Sequence, residues 1–245
     1  MITSVQNSQV KTWAKLKMKK FRVKTDLFLI EGEHLVAEVH DSDWRIEELI
    51  IQDGTPIPTF ADQYTTTIVT ANVFQHIADT KTPQGIAAIV SMREVEWVDV
   101  KNALLIDSIQ DPGNLGTMIR TADAVGFDAV VIGDNSVDMY NEKVIRSTQG
   151  SLFHIAVFQE NLDTKIPALQ KEGFVVWATS LENAKPYKDV QVTSKTALLV
   201  GNEGNGVAQS LIDLSDCSVK IPINGKAESL NVSVAAGILM YHING

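Results

Sequence analysis

Apolar positions along the chain switch repeatedly between two periods. Short aliphatic or β-branched runs alternate with stretches in which apolar residues recur every three or four positions, which predicts strands alternating with helices. In the first third, Asp26–Ile30, Ile46–Ile51, Thr65–Thr70 and Ile86–Val90 read as strands, and Glu33–His40 and Asn72–Ala78 as helices. Asp53-Gly54 with Pro56 and Pro58, and Pro83-Gln84-Gly85, mark turns between them. Ahead of the first strand, Val5, Val10, Trp13, Leu16 and Phe21 are sparse apolar positions that fit a helix with one buried stripe. The charged stretch Arg93-Glu94-Val95-Glu96 reads as a linker, and after it the pattern restarts. Ala103–Ile106, Ala129–Ile132, Ile155–Val157, Phe174–Ala178, Thr196–Val200 and Val219–Ile221 are strand-like; Leu115–Val125, Glu142–Thr148, Lys165–Lys171 and Asn231–Ile243 are helix-like. Short apolar strands with helices between them predict a mostly parallel sheet covered on both faces. The expectation is an α/β chain of two domains, 1–96 and 97–245.

Composition narrows the class. The 245 residues are 44% hydrophobic and 21% charged, ordinary values for a globular protein. No apolar run approaches the roughly 20 residues that span a bilayer, and the first residues lack the apolar core of a secretory signal. Cys217 is the single cysteine, which excludes a disulfide within the chain and an all-cysteine zinc site. His34, His40, His76, His154 and His242 are scattered without metal-ligand spacing, so no metal is expected. A reducing, cytoplasmic setting is the natural expectation. The net charge is −9, yet residues 1–24 hold Lys11, Lys15, Lys17, Lys19, Lys20, Arg22 and Lys24 and no acid. The body of the chain should therefore repel nucleic acid while this arm attracts phosphate; a solvated helix face explains the same charges equally well.

Ligands of open α/β sheets bind beyond the carboxyl ends of the strands. Three polar segments are expected there: Asp107–Arg120, Gly201–Gly206 and Ile221–Val232. In the first, Pro112 and Gly113 set a turn and Asn114 is a candidate helix cap, with Arg120 on the face shared by Gly116 and Thr117. In the second, Gly201, Gly204 and Gly206 do not match the G-x-G-x-x-G spacing, which argues against a nicotinamide site; the loop carries one carboxylate, Glu203. In the third, Ser229 and Asn231 flank a helix start, where capping alone accounts for either. Neither a phosphate-binding Gly-Lys-Ser/Thr nor a hydrolase G-x-S-x-G occurs.

Taken together, LLIDSIQDPGNLGTMIRTADAVGFDAVVI, LLVGNEGNGV and IPINGKAESLNVSVAAGILMYH resemble, in order and spacing, the TrmH/SpoU family of RNA ribose 2′-O-methyltransferases of the SPOUT superfamily. FLIEGEHLVAEV through KTPQGIAAIV is similar to that family's smaller L30e-like substrate-binding domain, with the basic arm 1–24 ahead of it. The family often carries a serine where Ala208 stands. The resemblance implies a C-terminal trefoil-knotted domain, S-adenosylmethionine (SAM) as cofactor, RNA as partner, and a homodimer. The closing helix is itself too apolar from Val232 to Met240 for a fully exposed face.

Carried onto this sequence, the family's pattern makes Asn114, Arg120, Glu203, Ser229 and Asn231 the catalytic cluster. Arg120 would grip the target phosphate and ribose oxygen, Asn114 and Ser229 would orient it or the ribose, Glu203 would fix the arginine or its loop, and Asn231 would hold the cofactor loop. Thr179, Ser180, Gly201, Ile221, Ile223 and Leu230 would contact SAM, mainly through backbone groups. Ribosomal RNA, most naturally 23S, is the expected substrate. Transfer RNA remains an alternative, as does a non-catalytic RNA-binding assembly factor.

Overall fold

The computed structural model describes all 245 residues. By their contacts these form two compact units, Met1–Glu94 with Tyr140–Phe153, and Val95–Met139 with His154–Gly245. The sequence places 140–153 in the C-terminal domain, but the structure packs it with the N-terminal residues.

The first unit opens with α1 (Ser8–Lys15) and α2 (Lys19–Thr25), two helices where the sequence suggests one. The apolar stripe is buried as expected, with Val10, Trp13 and Leu16 each at most 3% exposed. Trp13 also anchors α1 through its indole, which donates to Glu48 at 3.1 Å. Then follow β1 (Leu27–Glu31), α3 (Glu33–His40), β2 (Ile46–Gln52), β3 (Thr66–Val69), α4 (Ala71–Ile77) and β4 (Ile86–Ser91). The sheet order is β1-β4-β2-β3. It is mixed: β4 runs antiparallel to both neighbours, and β2 pairs parallel with β3. Trp13, Leu16, Phe74, Ile77 and Ile50 share one core cluster, so α1 and α4 cover the same face.

The second unit begins with β5 (Asn102–Ile106), α5 (Pro112–Val125) and β6 (Ala129–Ile132). After it comes α6 (Glu142–Thr148), which belongs to the first unit. The second unit then continues with β7 (Ala156–Gln159), α7 (Leu162–Lys171), β8 (Val175–Thr179), β9 (Lys185–Pro186), β10 (Thr196–Val200), α8 (Gln209–Leu214), β11 (Cys217–Lys220) and α9 (Val232–Asn244). The strand order is β7-β6-β5-β10-β8-β11-β9, and every neighbouring pair is parallel. Leu105, Val131, Val176 and Leu199 pack with Ile166 and Leu169 of α7 and Leu211 of α8 on one face. Their neighbours Leu104, Val130, Trp177 and Leu198 are also fully buried. Strands covered on both faces explain why these runs are continuously apolar.

The excursion α6 is held to the first unit by rings at both ends. Tyr140 lies 4.7 Å from Phe28, and Phe153 lies 5.5 Å from Trp44, centroid to centroid. The imidazole Nε2 of His34 is 3.1 Å from the carbonyl of Gln149.

Candidate active site

The parallel sheet brings the three polar segments to one edge. β5 pairs with β10, β10 with β8, and β8 with β11, all in the same direction. Their carboxyl ends therefore release Asp107–Asn114, Gly201–Gly206, Thr179–Ser180 and Ile221–Leu230 side by side, as the strand-end rule requires.

Asn114 is not the helix cap. Asp111 is, its Oδ1 accepting the Asn114 N–H at 2.7 Å, with Pro112 in the first helical turn. A proline there loses no hydrogen bond, because the first amides of a helix have no internal partner. Relieved of capping, the Asn114 side chain joins two loops. Its Nδ2 donates to Glu203 Oε1 at 3.2 Å, and its Oδ1 accepts from Asn231 Nδ2 at 3.0 Å. Asn231 is the cap of α9, its Oδ1 accepting the amides of Ser233 and Val234 at 2.9 and 3.3 Å. One asparagine on α5 thus ties the second polar segment to the third.

Glu203 completes the junction from the other side. Besides Asn114, it accepts the backbone amides of Asp111 at 3.2 Å and Gln110 at 3.5 Å. Burial alone would push its carboxyl up; hydrogen bonds from its own amide, the Asn114 side chain and the Asp111 and Gln110 amides outweigh that and hold it below the ordinary carboxylate value. The group is therefore ionised at neutral pH. Its partner is the loop before α5, not Arg120.

Two further residues build the frame, and the sequence reading assigned a role to neither. Asn202 donates from Nδ2 to the Ser108 carbonyl at 2.8 Å, while its Oδ1 accepts the amides of Gly204 and Asn205 at 2.9 and 3.1 Å. Asp107, only 8% exposed, accepts the Ser108 hydroxyl at 2.7 Å and the Ala208 amide at 2.9 Å. Asn202 adjoins Gly201, the signature of a side chain that folds a loop, and is findable in sequence by that signal; Asp107, between Ile106 and Ser108, carries no such signal beyond its place at the end of a strand.

Gly201 is required by the loop itself. The amides and carbonyls of Asn202 and Gly206 exchange two bonds of 2.9 Å, closing a tight turn over it. A Cβ on Gly201 would lie 2.1 Å from the Val207 nitrogen and 2.2 Å from the Gly206 carbonyl carbon.

The remaining expected residues make few internal bonds. Thr179 donates its hydroxyl to the Leu199 carbonyl at 3.1 Å, and Ser180 bonds Val219 and Glu182. Ile221–Leu230 lies outside helix and strand, and its backbone N–H and C=O groups have no partner within the chain. Ile221 and Ile223 are half-buried, and Leu230 is exposed. Unpartnered backbone groups beside aliphatic side chains suit a purine, whose edge is read by amides and carbonyls and whose face is covered by methylenes. Arg120 and Ser229 are exposed and bond nothing within the chain. Arg120 lies one turn from Thr117 along the helix. Thr117 and Thr121, with Val234, Ile238 and Tyr241 of α9, line an open groove of about 590 Å³. These three α9 side chains are 51%, 37% and 58% exposed.

Residues 101–241 match the model of the SpoU rRNA Methylase family, and residues 7–88 match the MRM3-like substrate binding domain. The chain is 47% identical to the 23S rRNA (guanosine(2553)-2'-O)-methyltransferase RlmP of Bacillus subtilis, over 100% of this chain and 99% of that protein. The crystal structure of an AdoMet-bound rRNA methyltransferase from Sinorhizobium meliloti superposes with a TM-score of 0.89 at 29% identity, covering 99% of this chain and 96% of that one. A crystal structure of an RNA 2'-O ribose methyltransferase gives a TM-score of 0.83 at 26% identity, covering 99% and 97%. With its three polar segments joined at one sheet edge and a family model covering more than half its length, the chain belongs to the SpoU rRNA methylase family.

Proposed function

We propose that this protein transfers a methyl group from SAM to the ribose 2′-hydroxyl of a guanosine in 23S rRNA, working as a cytoplasmic homodimer. The observation that carries the reading is the junction of Glu203, Asn114 and Asn231, which fixes three loops around the base of α5 and leaves Arg120 free. A purely RNA-binding protein has no need to lock a strand-end loop, a helix start and a second helix cap together while keeping one guanidinium unengaged. The RNA assignment follows the name of the full-length Bacillus subtilis relative.

SAM, when bound, supplies an electrophilic methyl on a positively charged sulfur. The chain's own contribution is to hold the acceptor and the cofactor in line, which accounts for several kcal/mol of barrier reduction, of order 7–11 in well-aligned systems. Thr179, Ser180, Gly201, Ile221, Ile223 and Leu230 are the residues assigned to hold the cofactor, through the backbone groups that leave β8, β10 and β11. The loops are assigned to a trefoil knot. Arg120 meets the RNA: its planar fork engages the phosphate and the ribose oxygen and stabilises alkoxide character as the methyl transfers. A guanidinium carries donors and no acceptor, so the hydroxyl proton leaves to phosphate or water. Glu203 acts through Asn114, keeping the loop in place, and Ser229 meets the ribose from the third segment.

The groove between α5 and α9 supports the dimer. Val234, Ile238 and Tyr241 present apolar surface next to Arg120's helix, where a second copy would cover them and complete the site. Replacing Ile238 and Tyr241 together with aspartate should halve the mass seen in sedimentation and remove activity. A double variant that stays dimeric would move the interface elsewhere.

The function is tested by incubating the protein and isotopically labelled SAM with 23S rRNA from cells that lack it, then mapping ribose methylation. Label should enter one guanosine, corresponding to the nucleotide in the relative's name. Label in transfer RNA alone, or none in any RNA, would overturn the reading.

A further inference from the structure

The basic N-terminal segment is a rigid corner, and its positive charges divide into two groups. Lys17 and Arg22 serve the fold. Arg22 is 5% exposed and donates from Nη1 to the carbonyls of Leu16 and Lys17 at 2.8 and 2.9 Å, closing the end of α1 against α2. Lys17 pairs with Asp79 at 3.0 Å and donates to the Ala78 carbonyl at 2.9 Å. The other five, Lys11, Lys15, Lys19, Lys20 and Lys24, are exposed, and none pairs with a carboxylate. The segment holds no acid before Asp26.

From this division we infer that Lys15, Lys19, Lys20 and Lys24, displayed on the α1–α2 corner, are the surface that docks the RNA's phosphate backbone. The inference rests on the proposed RNA substrate and locates where that RNA is held, away from the reacting ribose. Three observations carry it. The corner is ordered before binding, since Val10, Trp13 and Leu16 are buried in the core and Arg22 locks the turn, so little conformational freedom is lost when RNA docks. None of its lysines pairs with a carboxylate; Lys15 Nζ lies 5.3 Å from the Phe21 ring centroid, a contact that leaves the ammonium's donors open to phosphate. The chain as a whole is −9, so an unpaired cluster of this sign is the place where a polyanion gains rather than loses by approach. Exposed Met18 and Val23 lie among the lysines, at 51% and 61% exposure, and give an apolar surface for ribose edges.

The test measures equilibrium binding of a 23S rRNA fragment across a salt series without SAM, in the full-length protein. The variant carries Lys15→Gln, Lys19→Gln, Lys20→Gln and Lys24→Gln. A control carries Lys81→Gln, Lys101→Gln, Lys171→Gln and Lys188→Gln, which changes the net charge equally. Each phosphate contact contributes about 0.7–0.9 to the slope of log affinity against log salt, so four lost contacts should flatten it by roughly 3. Affinity near physiological salt should fall about 10- to 100-fold in the corner variant and by less than about 3-fold in the control. KM for RNA should rise while turnover at saturating RNA and SAM affinity hold. Should the four-site variant melt early, Lys20→Gln with Lys24→Gln on α2 alone should give half the flattening. Equal losses in variant and control, or a slope unchanged in both corner variants, would overturn the inference. A wild-type protein that binds with the full slope but methylates no RNA would overturn the proposed activity and leave the docking surface standing.

Discussion

Arg120→Ala is expected to lower methyl transfer by about a hundred- to a thousandfold, the scale seen when a single donor to a developing oxyanion is removed. SAM affinity, read by calorimetry, should stay within a few-fold. The reason is positional. Arg120 is on the exposed side of α5 and makes no bond to the loops that leave β8, β10 and β11, whereas Asn114 bonds both Glu203 and Asn231 and ties the loops that leave β10 and β11 to α5 without it. Removing the guanidinium leaves that frame whole. Arg120→Lys should not restore the rate, because a point charge cannot span phosphate and ribose oxygen as a planar fork does. Loss of SAM binding together with activity would place Arg120 on the cofactor side.

Gly201→Ala should have the second-largest effect, through a different route. A methyl there meets backbone at 2.1 and 2.2 Å, and backbone closed into the Asn202–Gly206 turn cannot rotate aside as a side chain would. The turn must open. Asn202 then loses its hold on Ser108, and Glu203 is carried away from Asn114, Asp111 and Gln110. We expect SAM affinity and activity both to collapse, with a loss of more than ~2 kcal/mol in stability, seen as a melting temperature lower by roughly 5 °C or more. Full SAM binding by Gly201→Ala would mean the turn opens without consequence.

The strands of both sheets, β9 apart, are legible because they are short, largely apolar or β-branched runs bounded by turn residues. Helices with a clear stripe, such as Glu33–His40 and Glu142–Thr148, coincide with α3 and α6 to the residue. What periodicity could not carry was partnership. Nothing in the local pattern of α6 distinguishes a helix covering its own sheet from one covering another unit, because burial is the same in either place. Short pieces escaped for a related reason: β9 has two residues and α8 six, too few for a period to declare itself. At the site, the three polar segments were legible from residue type and place. The identity of the cap was not, since Asp111 and Asn114 are both good caps and only the backbone geometry chooses. The basic arm is the clearest case. Seven like charges are interchangeable in sequence, and only packing separates Lys17 and Arg22, which hold the corner, from the five left facing solvent.

The return of residues 140–153 to the N-terminal unit also bears on how the molecule is made. Synthesis runs from the N-terminus, so strand β1 and helix α3 emerge long before Tyr140 and Phe153 exist to cover Phe28 and Trp44. Until then Phe28 and Trp44 lack these two ring partners, and the unit that begins first cannot be finished first. β5, α5 and β6 must already have left the ribosome when the earlier unit closes, so the two units mature in overlapping order rather than in sequence. For the same reason a cut at the linker does not yield a self-sufficient N-terminal piece: a fragment ending at Glu94 lacks part of its own hydrophobic core. The chain's second half is in this sense a component of its first, and the two are inherited, expressed and stabilised as one.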